Sequence, residues 1–422
     1  MPKQRKAEDD LVRAIPLAKI QENVLELLEK NSEETGVADC VDLIISQGAY
    51  HVASDIHFEP WADCLSIRYR IDGILQQVAM IPREFQSKIS ARIKVLGDLI
   101  VYRKDVPQDG RIDIEKTSCG RPMRVATVPT VKGEKIVIRL LGDTQELYHL
   151  DTLGFQPAVV TQLREIIIRS QGTLLLTGPS SSGKTTTIYA LLREMMTIQD
   201  NTTNIVTIED PVEYSLDKIS QIQVNPHVEF TFVNALRSIL RQDPEVIMVG
   251  EIRDVETAKM GIQAGLTGHF VISTIHSGTA AGVFTRLLDM GIEPFLVASS
   301  LSGVLAQRLI RLNCPDCAEP YTPDPLLLEH FEAGQKKARF LRGKGCDTCQ
   351  GIGYRGRACI GELLLVSQPI AERILERPTT SQMQEVALAE GMESLAEDGL
   401  KKALKGITTI EELVRVLPTP AG

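Results

Sequence analysis

Eight consecutive residues of the 422-residue chain, Gly178-Pro179-Ser180-Ser181-Ser182-Gly183-Lys184-Thr185, have the spacing GxxxxGK[ST]. Between a buried strand and a helix, such a loop turns backbone N–H groups inward and holds an anion at the helix N-terminus. Both neighbours are legible: Leu174-Leu175-Leu176 reads as a buried strand, and residues 186–195, opening with Thr186, read as a helix. The chemistry to expect is binding of a nucleoside triphosphate, with Lys184 on the β- and γ-phosphates and the Thr185 hydroxyl on Mg2+.

Phosphoryl transfer also needs carboxylates for metal and water, and cations for the charge on the transferring group. In an open parallel sheet these groups come from the C-terminal ends of the strands. The run 205–208 ends in Glu209-Asp210-Pro211-Val212-Glu213, and the run 246–249 ends in Gly250-Glu251. Either end could hold Mg2+ through water or supply the general base. Segment 231–241 reads as a helix with Phe232, Leu236, Ile239 and Leu240 on one stripe. Arg237 and Arg241, four apart, share another face and are candidates for a phosphate clamp, with a solvated face as the alternative. His269 and His276 flank the run 270–275. Seven residues apart, they point to opposite faces of a straight strand. A shared metal site is therefore not expected, and a core or hydrogen-bonding role stays open for each.

Cys314-Pro315-Asp316-Cys317 and Cys346-Asp347-Thr348-Cys349 are CxxC pairs with residues 318–345 between them. Asn313, Gly345 and Gly351 supply turns beside them. Four thiolates suit a closed, tetrahedral zinc site, whereas a redox pair needs only one CxxC. Cys40, Cys64, Cys119 and Cys359 lack such spacing and read as buried thiols.

Positioning these groups takes several domains, about three on the usual size prior. A hydrophobic content of 43% and a charged fraction of 24% exclude wholesale disorder. A net charge of −9 argues against a general nucleic-acid-binding surface, although the insertion carries Lys336, Lys337, Arg339, Arg342 and Lys344. No apolar run reaches the roughly 18 residues of a membrane span, and the charged start MPKQRKAEDD leads into no signal-type apolar segment. The expectation is a cytoplasmic protein that meets membranes only through partners.

In residues 1–35, Ile20, Val24, Leu27 and Leu28 predict one amphipathic docking or capping helix. Residues 36–142 predict a small α+β domain. There Leu65, Ile67, Tyr69 and Ile71 alternate with polar residues, Asp72-Gly73 signals a turn, strands fall at 123–128 and 135–141, and a helix lies between Glu84 and Leu99. A linker is expected at 143–153. From 154 to 310, apolar runs at 174–176, 205–208, 246–249 and 270–272 alternate with helical stretches, the pattern of a mostly parallel sheet covered on both faces. Residues 311–355 hold the tetracysteine insertion, and 356–422 read as helical.

These motifs resemble those of the secretion ATPase family, the type II secretion and type IV pilus assembly motors (GspE/PilB), from about Ser54 to Leu417. Ser54-Asp55-Ile56-His57-Phe58-Glu59-Pro60, Arg68-Tyr69-Arg70-Ile71-Asp72-Gly73 and Pro107-Gln108-Asp109-Gly110-Arg111 resemble its N-terminal signatures. Residues 178–187 resemble its Walker A, 207–214 its aspartate box, 243–254 its Walker B, 267–276 its histidine box, and 391–409 its C-terminal block. The resemblance implies an α/β protein in which a PAS-like α+β domain folds over a RecA-like P-loop core. It implies ATP hydrolysis by a homohexamer that drives pilus or pseudopilus assembly on inner-membrane platform proteins. Glu213 becomes the water-activating base, Glu251 the carboxylate holding Mg2+ through water, and His276 a γ-phosphate contact. Arg111 and Arg124 would reach the nucleotide from the N-terminal domain, and Arg237 and Arg241 from the core. Arg111 is expected just after a turn at Gln108-Asp109-Gly110. Ser180-Ser181 stand where the family has Thr-Gly, which predicts a restricted φ at 181. Ser277-Gly278 stand where it has Thr-Asn. A retraction motor of the same superfamily, typically without the cysteines, and a DNA-translocating ATPase are the alternatives.

Overall fold

Alternation in the first third of the chain produces six antiparallel strands: β1 (Asp55–Pro60), β2 (Cys64–Ile71), β3 (Ile74–Pro82), β4 (Gln108–Ile112), β5 (Met123–Thr130) and β6 (Gly133–Leu140). They form one sheet in the order β3-β2-β1-β6-β5-β4. Asp72 and Gly73 both take positive φ, 47° and 82°, and close the β2–β3 hairpin at the Ile71–Ile74 pair. Two such residues match the twist of the flanking strands. Ile56, Phe58, Ile67, Tyr69, Val125 and Ile138 lie in one buried cluster with residues of the helices Leu17–Lys30, Glu33–Tyr50 and Gln86–Leu96. The first helix was expected as a docking or capping element. Its Ile20, Val24 and Leu28 are buried in this core.

Gln108-Asp109-Gly110 is not a turn but the first half of β4. Gly110 is there because the chain passes close by: a Cβ on it would meet Gly97 O at 2.3 Å and a Leu99 methyl at 2.7 Å. A glycine read as turn chemistry thus marks a close backbone approach. Arg111 remains exposed on the strand.

The second half of the chain builds the other sheet from β7 (Gly172–Thr177), β8 (Ile205–Glu209), β9 (Ser220–Gln223), β10 (Val246–Ile252), β11 (Phe270–Ile275) and β12 (Leu301–Asn313), separated by the short pair β13 (Ala318–Pro320) and β14 (Leu341–Gly343) from β15 (Tyr354–Leu365). The seven-stranded order is β15-β12-β7-β11-β10-β8-β9, parallel throughout except for the β12–β15 pair. Strands buried on both faces and alternating with helices give the doubly covered sheet expected of the core. The sheet runs two strands further than its four predicted parallel runs toward one edge. Residues 356–365 belong to β15, and the C-terminal helices start at Gln368. The insertion grows from the tip of the β12–β15 hairpin, just past the Asn313–Tyr354 pair.

The computed structural model describes residues 15–30, 33–141, 149–199, 202–225, 228–331 and 339–417. It divides into two units, Met1–Glu146 and Leu147–Gly422. Of the expected linker, residues 143–148 lie outside the described residues, as do Lys336 and Lys337. Leu150 and Leu153 are buried in the core of the second unit. Among the described residues, no helix is long and apolar enough to cross a membrane.

Candidate active site

The loop 178–183 joins the end of β7 to the helix Lys184–Ile198. Gly183 precedes that helix in the left-handed region (φ 87°), and Gly178 takes φ 149°. At Gly178 a Cβ would meet Gln307 O at 2.6 Å and Arg308 Nη1 at 3.2 Å, so only glycine fits. Ser181, where a glycine was expected, is held at φ 61°, a conformation that costs a side-chain-bearing residue about 1–2 kcal/mol. Lys184 Nζ donates to Gly178 O and Pro179 O, each at 2.9 Å, and so lies across the loop. Burial lowers its pKa, Glu251 opposes that shift and Arg308 adds to it. Thr185 is exposed on the first helical turn and Thr186 is half-buried.

Register brings the other groups to the same edge. Thr177 pairs with Ile275, Ile275 with Ile252, and Val249 with Ile208, so β7, β11, β10 and β8 end side by side. Thr177 Oγ1 donates to Ser277 O at 3.0 Å and accepts from Ser277 N at 2.8 Å, tying the phosphate loop to the turn after β11. Glu251, 21% exposed, pairs with Arg253, and His276 Nε2 lies 3.8 Å from its Oε2. The oxygen donors of Thr185 and Glu251 at this edge are the hard ligands that Mg2+ takes. Arg253 was missed by the sequence reading. Its only signal is its position, two residues after Glu251 at the same strand end.

The two carboxylates after β8 differ. Glu209 is buried: it accepts from Thr207 Oγ1 at 2.6 Å, Gln221 Nε2 at 3.1 Å and the Tyr189 hydroxyl. It is committed to binding β8 and β9 to the helix. Glu213 is exposed, and its carboxylate has no partner among the described residues.

The arginines of segment 231–241 do not gather at the loop. The helix there is Phe232–Ile239, capped by Thr231, whose hydroxyl accepts from Asn234 N. Arg237 is exposed and paired with Glu256. Arg241 follows the helix end, next to Gln242 and Asp243, whose carbonyls accept from Asn204 Nδ2 just before β8 begins. That is the opposite edge of the sheet, so a clamp by Arg241 on its own chain's phosphate loop does not follow. His269 also sits at that far edge, with Nδ1 3.2 Å from Ala264 O, a full strand length from His276.

In the first unit, Arg111 and Arg124 are directly opposite each other on β4 and β5. Met123 and Val125 face the core, and Arg124 the other side. The row continues across the sheet: Arg124 opposes Arg139, Arg139 opposes Asp55, and Asp55 opposes Arg70. Asp55 is taken by Arg139 Nε at 3.0 Å and Arg70 Nε at 3.5 Å. Among the described residues, Arg111 and Arg124 have no carboxylate partner.

The four cysteine sulfurs converge. Cys314–Cys346 and Cys317–Cys349 are 3.8 Å apart, Cys346–Cys349 3.7 Å, and all four lie within 4.8 Å of one another. A tetrahedral ion with bonds of about 2.3 Å sets sulfurs about 3.8 Å apart, while a disulfide needs about 2.05 Å. The set therefore fits zinc. Cys349 Sγ also accepts from Cys346 N and Gly353 N, each at 3.2 Å. Backbone donation lowers the Cys346 thiol to about 7.

Residues 30–415 match the family described as Type II/IV secretion system protein. Type II secretion system ATPase E of Vibrio cholerae is 44% identical over 392 residues, covering 93% of this chain and 77% of that protein. Type IV pilus assembly ATPase PilB of Thermus thermophilus is 43% identical over 385 residues, covering 90% of this chain but 43% of that protein. Among solved structures, the pilus retraction motor PilT with bound ADP superposes with a TM-score of 0.60 at 25% identity, over 90% of this chain and 97% of that one. The ATPase DotB of Legionella pneumophila gives 0.64 at 19% identity, over 89% and 94%, a likeness of fold.

Proposed function

The chain belongs to the family of type II/IV secretion system ATPases, and from that premise we propose that it hydrolyses ATP to drive assembly of a pilus or pseudopilus. The observation that carries this reading is the meeting of phosphate loop, Lys184, Glu251 and His276 at the C-terminal edge of one parallel sheet. Loop amides cradle the phosphates, and Lys184 exchanges its loop carbonyls for the β- and γ-phosphates. Thr185, and Glu251 through water, would hold Mg2+, which would supply charge to neutralise the phosphates. Glu213, free and exposed, takes a proton as water attacks the γ-phosphorus, and the bond to ADP breaks. His276 contacts the γ-phosphate, and Arg111 and Arg124 add positive charge. Cys314, Cys317, Cys346 and Cys349 hold zinc in a purely structural role.

The working assembly is a homohexamer in the cytoplasm, bound peripherally to inner-membrane platform proteins. Assembly is favoured over retraction because the relatives at 43–44% identity are named for secretion and pilus assembly, while the retraction motor is 25% identical.

Purified Lys184→Ala is expected to lose at least about 100-fold in MgATP turnover while melting like the wild type, the scale for removing one preorganised charge. Glu213→Gln should bind ATP and fail to turn it over. Near-wild-type rates in either variant overturn the site.

A further inference from the structure

Beneath the phosphate loop lies a second set of polar groups, from β12 and β15, outside the motifs read in the sequence. Gln307 Nε2 donates to Ser182 O at 2.8 Å. The Gln307 carbonyl accepts from Arg308 Nη1 at 2.9 Å, and Arg308 Nη2 donates to Gly278 O at 2.6 Å. One guanidinium thus spans from the strand bracing loop 178–183 to the turn that carries His276. Gly178 packs against this layer: a Cβ there would meet Gln307 O at 2.6 Å, Ser182 Oγ at 2.7 Å and Arg308 Nη1 at 3.2 Å.

Arg308 is 6% exposed, and its counter-charge is Glu362 on β15, 2% exposed. Arg308 opposes Ile360 and Glu362 opposes Ala306, so the two charges are diagonal neighbours on one face of the hairpin. Glu362 in turn accepts from Ala280 N at 2.7 Å and Leu395 N at 3.3 Å, the first residues of the helices Ala280–Asp289 and Leu395–Leu404. The two buried charges attract each other without a direct ion pair, and such an attraction adds little net stability. What Arg308 adds is geometry: a planar fork with two fixed directions, which an apolar side chain or a lysine lacks.

We propose that Arg308 is a positioning residue for hydrolysis: by holding the carbonyls of Gln307 and Gly278 it fixes the phosphate loop relative to His276, so that Lys184 and His276 address the same phosphate chain. This rests on the ATPase reading above. Nucleotide affinity comes mainly from the loop amides and Lys184, whereas the hydrogen bonds of Arg308 go to the carbonyls of Gln307 and Gly278. Turnover depends on the relative placing of two loops, where a displacement of about 1 Å costs about 100-fold.

The test uses the full chain, with ADP as binding probe and MgATP turnover as readout. Arg308→Lys keeps the charge but reaches only one of the two carbonyls. It is expected to bind ADP within about threefold of wild type and to lose about tenfold or more in kcat. Glu362→Gln removes the counter-charge and should show the same split, and the double variant should lose no more than the worse single one. A bridge serving only stability would lower the melting temperature and leave kcat unchanged below it. Wild-type kcat in folded Arg308→Lys overturns the proposal; if that variant does not fold, Glu362→Gln decides in the same way, and if neither folds the bridge is structural and the proposal falls. An inactive wild type overturns the ATPase reading, whereas an active wild type with unaffected variants overturns only the positioning role.

Discussion

At position 181 a serine occupies backbone that favours glycine. Its φ of 61° costs about 1–2 kcal/mol, partly offset by the lower entropy of an unfolded chain with serine there. Ser181→Gly should therefore raise the stability of the second unit by about 0.5–1 kcal/mol, seen as a melt about 2 °C higher. Ser180 has no positive φ, so Ser180→Gly should lower it by a similar amount. Equal shifts of the same sign in both melts would show that the loop does not hold Ser181 there. The substitution was legible in the sequence because local spacing defines the phosphate loop. Arg253 and Arg308 were not, for opposite reasons. Arg253 looks like any charge after a strand. Arg308 acts through Gly278 and through a neighbour that braces Ser182, 30 and 125 residues away in sequence, and no local pattern records such contacts.

Strands β7, β8, β10 and β11 were readable because burial on both faces leaves short, bounded apolar runs. β12 was not, since Leu301, Val304 and Leu305 also fit helical spacing. The insertion on the β12–β15 hairpin was readable from its cysteines alone, and its energetics follow from them. β13 and β14 have three residues each, and the insertion's own apolar cluster is the four cysteines. Phe331, Leu327, Leu328 and Phe340 pack on the core of the second unit, but the cysteine knuckles have only one another, so their folding is expected to depend on the metal. The insertion is anchored by Asn313 Nδ2 on Leu341 O at 2.7 Å and Gly406 O at 3.0 Å, and by the Tyr321 hydroxyl on Glu411 at 2.8 Å. Elemental analysis should find about one zinc per chain. Removing it, or replacing Cys314 and Cys349 by serine, should raise amide exchange across 314–353 and in the helix Ile410–Val416 while ADP binding persists. Protein free of zinc with 314–353 still protected would show that the cysteines pack without a metal.

On the scale of the whole chain, the two units carry complementary deficits. Near the phosphate loop, among the described residues, Arg253 is committed to Glu251 and Arg308 to two carbonyls. Lys184 is the cation left to meet the charge of a transferring phosphoryl group, and efficient sites supply more. The first unit has the reverse imbalance. Arg111, Arg124 and Arg139 stand in one cross-strand row, and Asp55 satisfies only the last. Like charges directly opposite destabilise a sheet by a few tenths of a kcal/mol to about 1 kcal/mol each. A row kept at that cost is expected to serve an anion. Two opposite effects follow for Arg124→Ala in the full chain. Losing the repulsion should leave the melting temperature of the first unit unchanged or slightly higher. Losing the guanidinium should lower MgATP turnover by about tenfold or more, and Arg111→Ala should do the same. A chain beginning at residue 147 keeps Leu150 and Leu153 in their core, and should bind ADP and hydrolyse ATP far more slowly than the whole. If that shortened chain turns over ATP at the full rate, or if both arginine variants do, the first unit has no part in the chemistry and its arginine row must serve another anion.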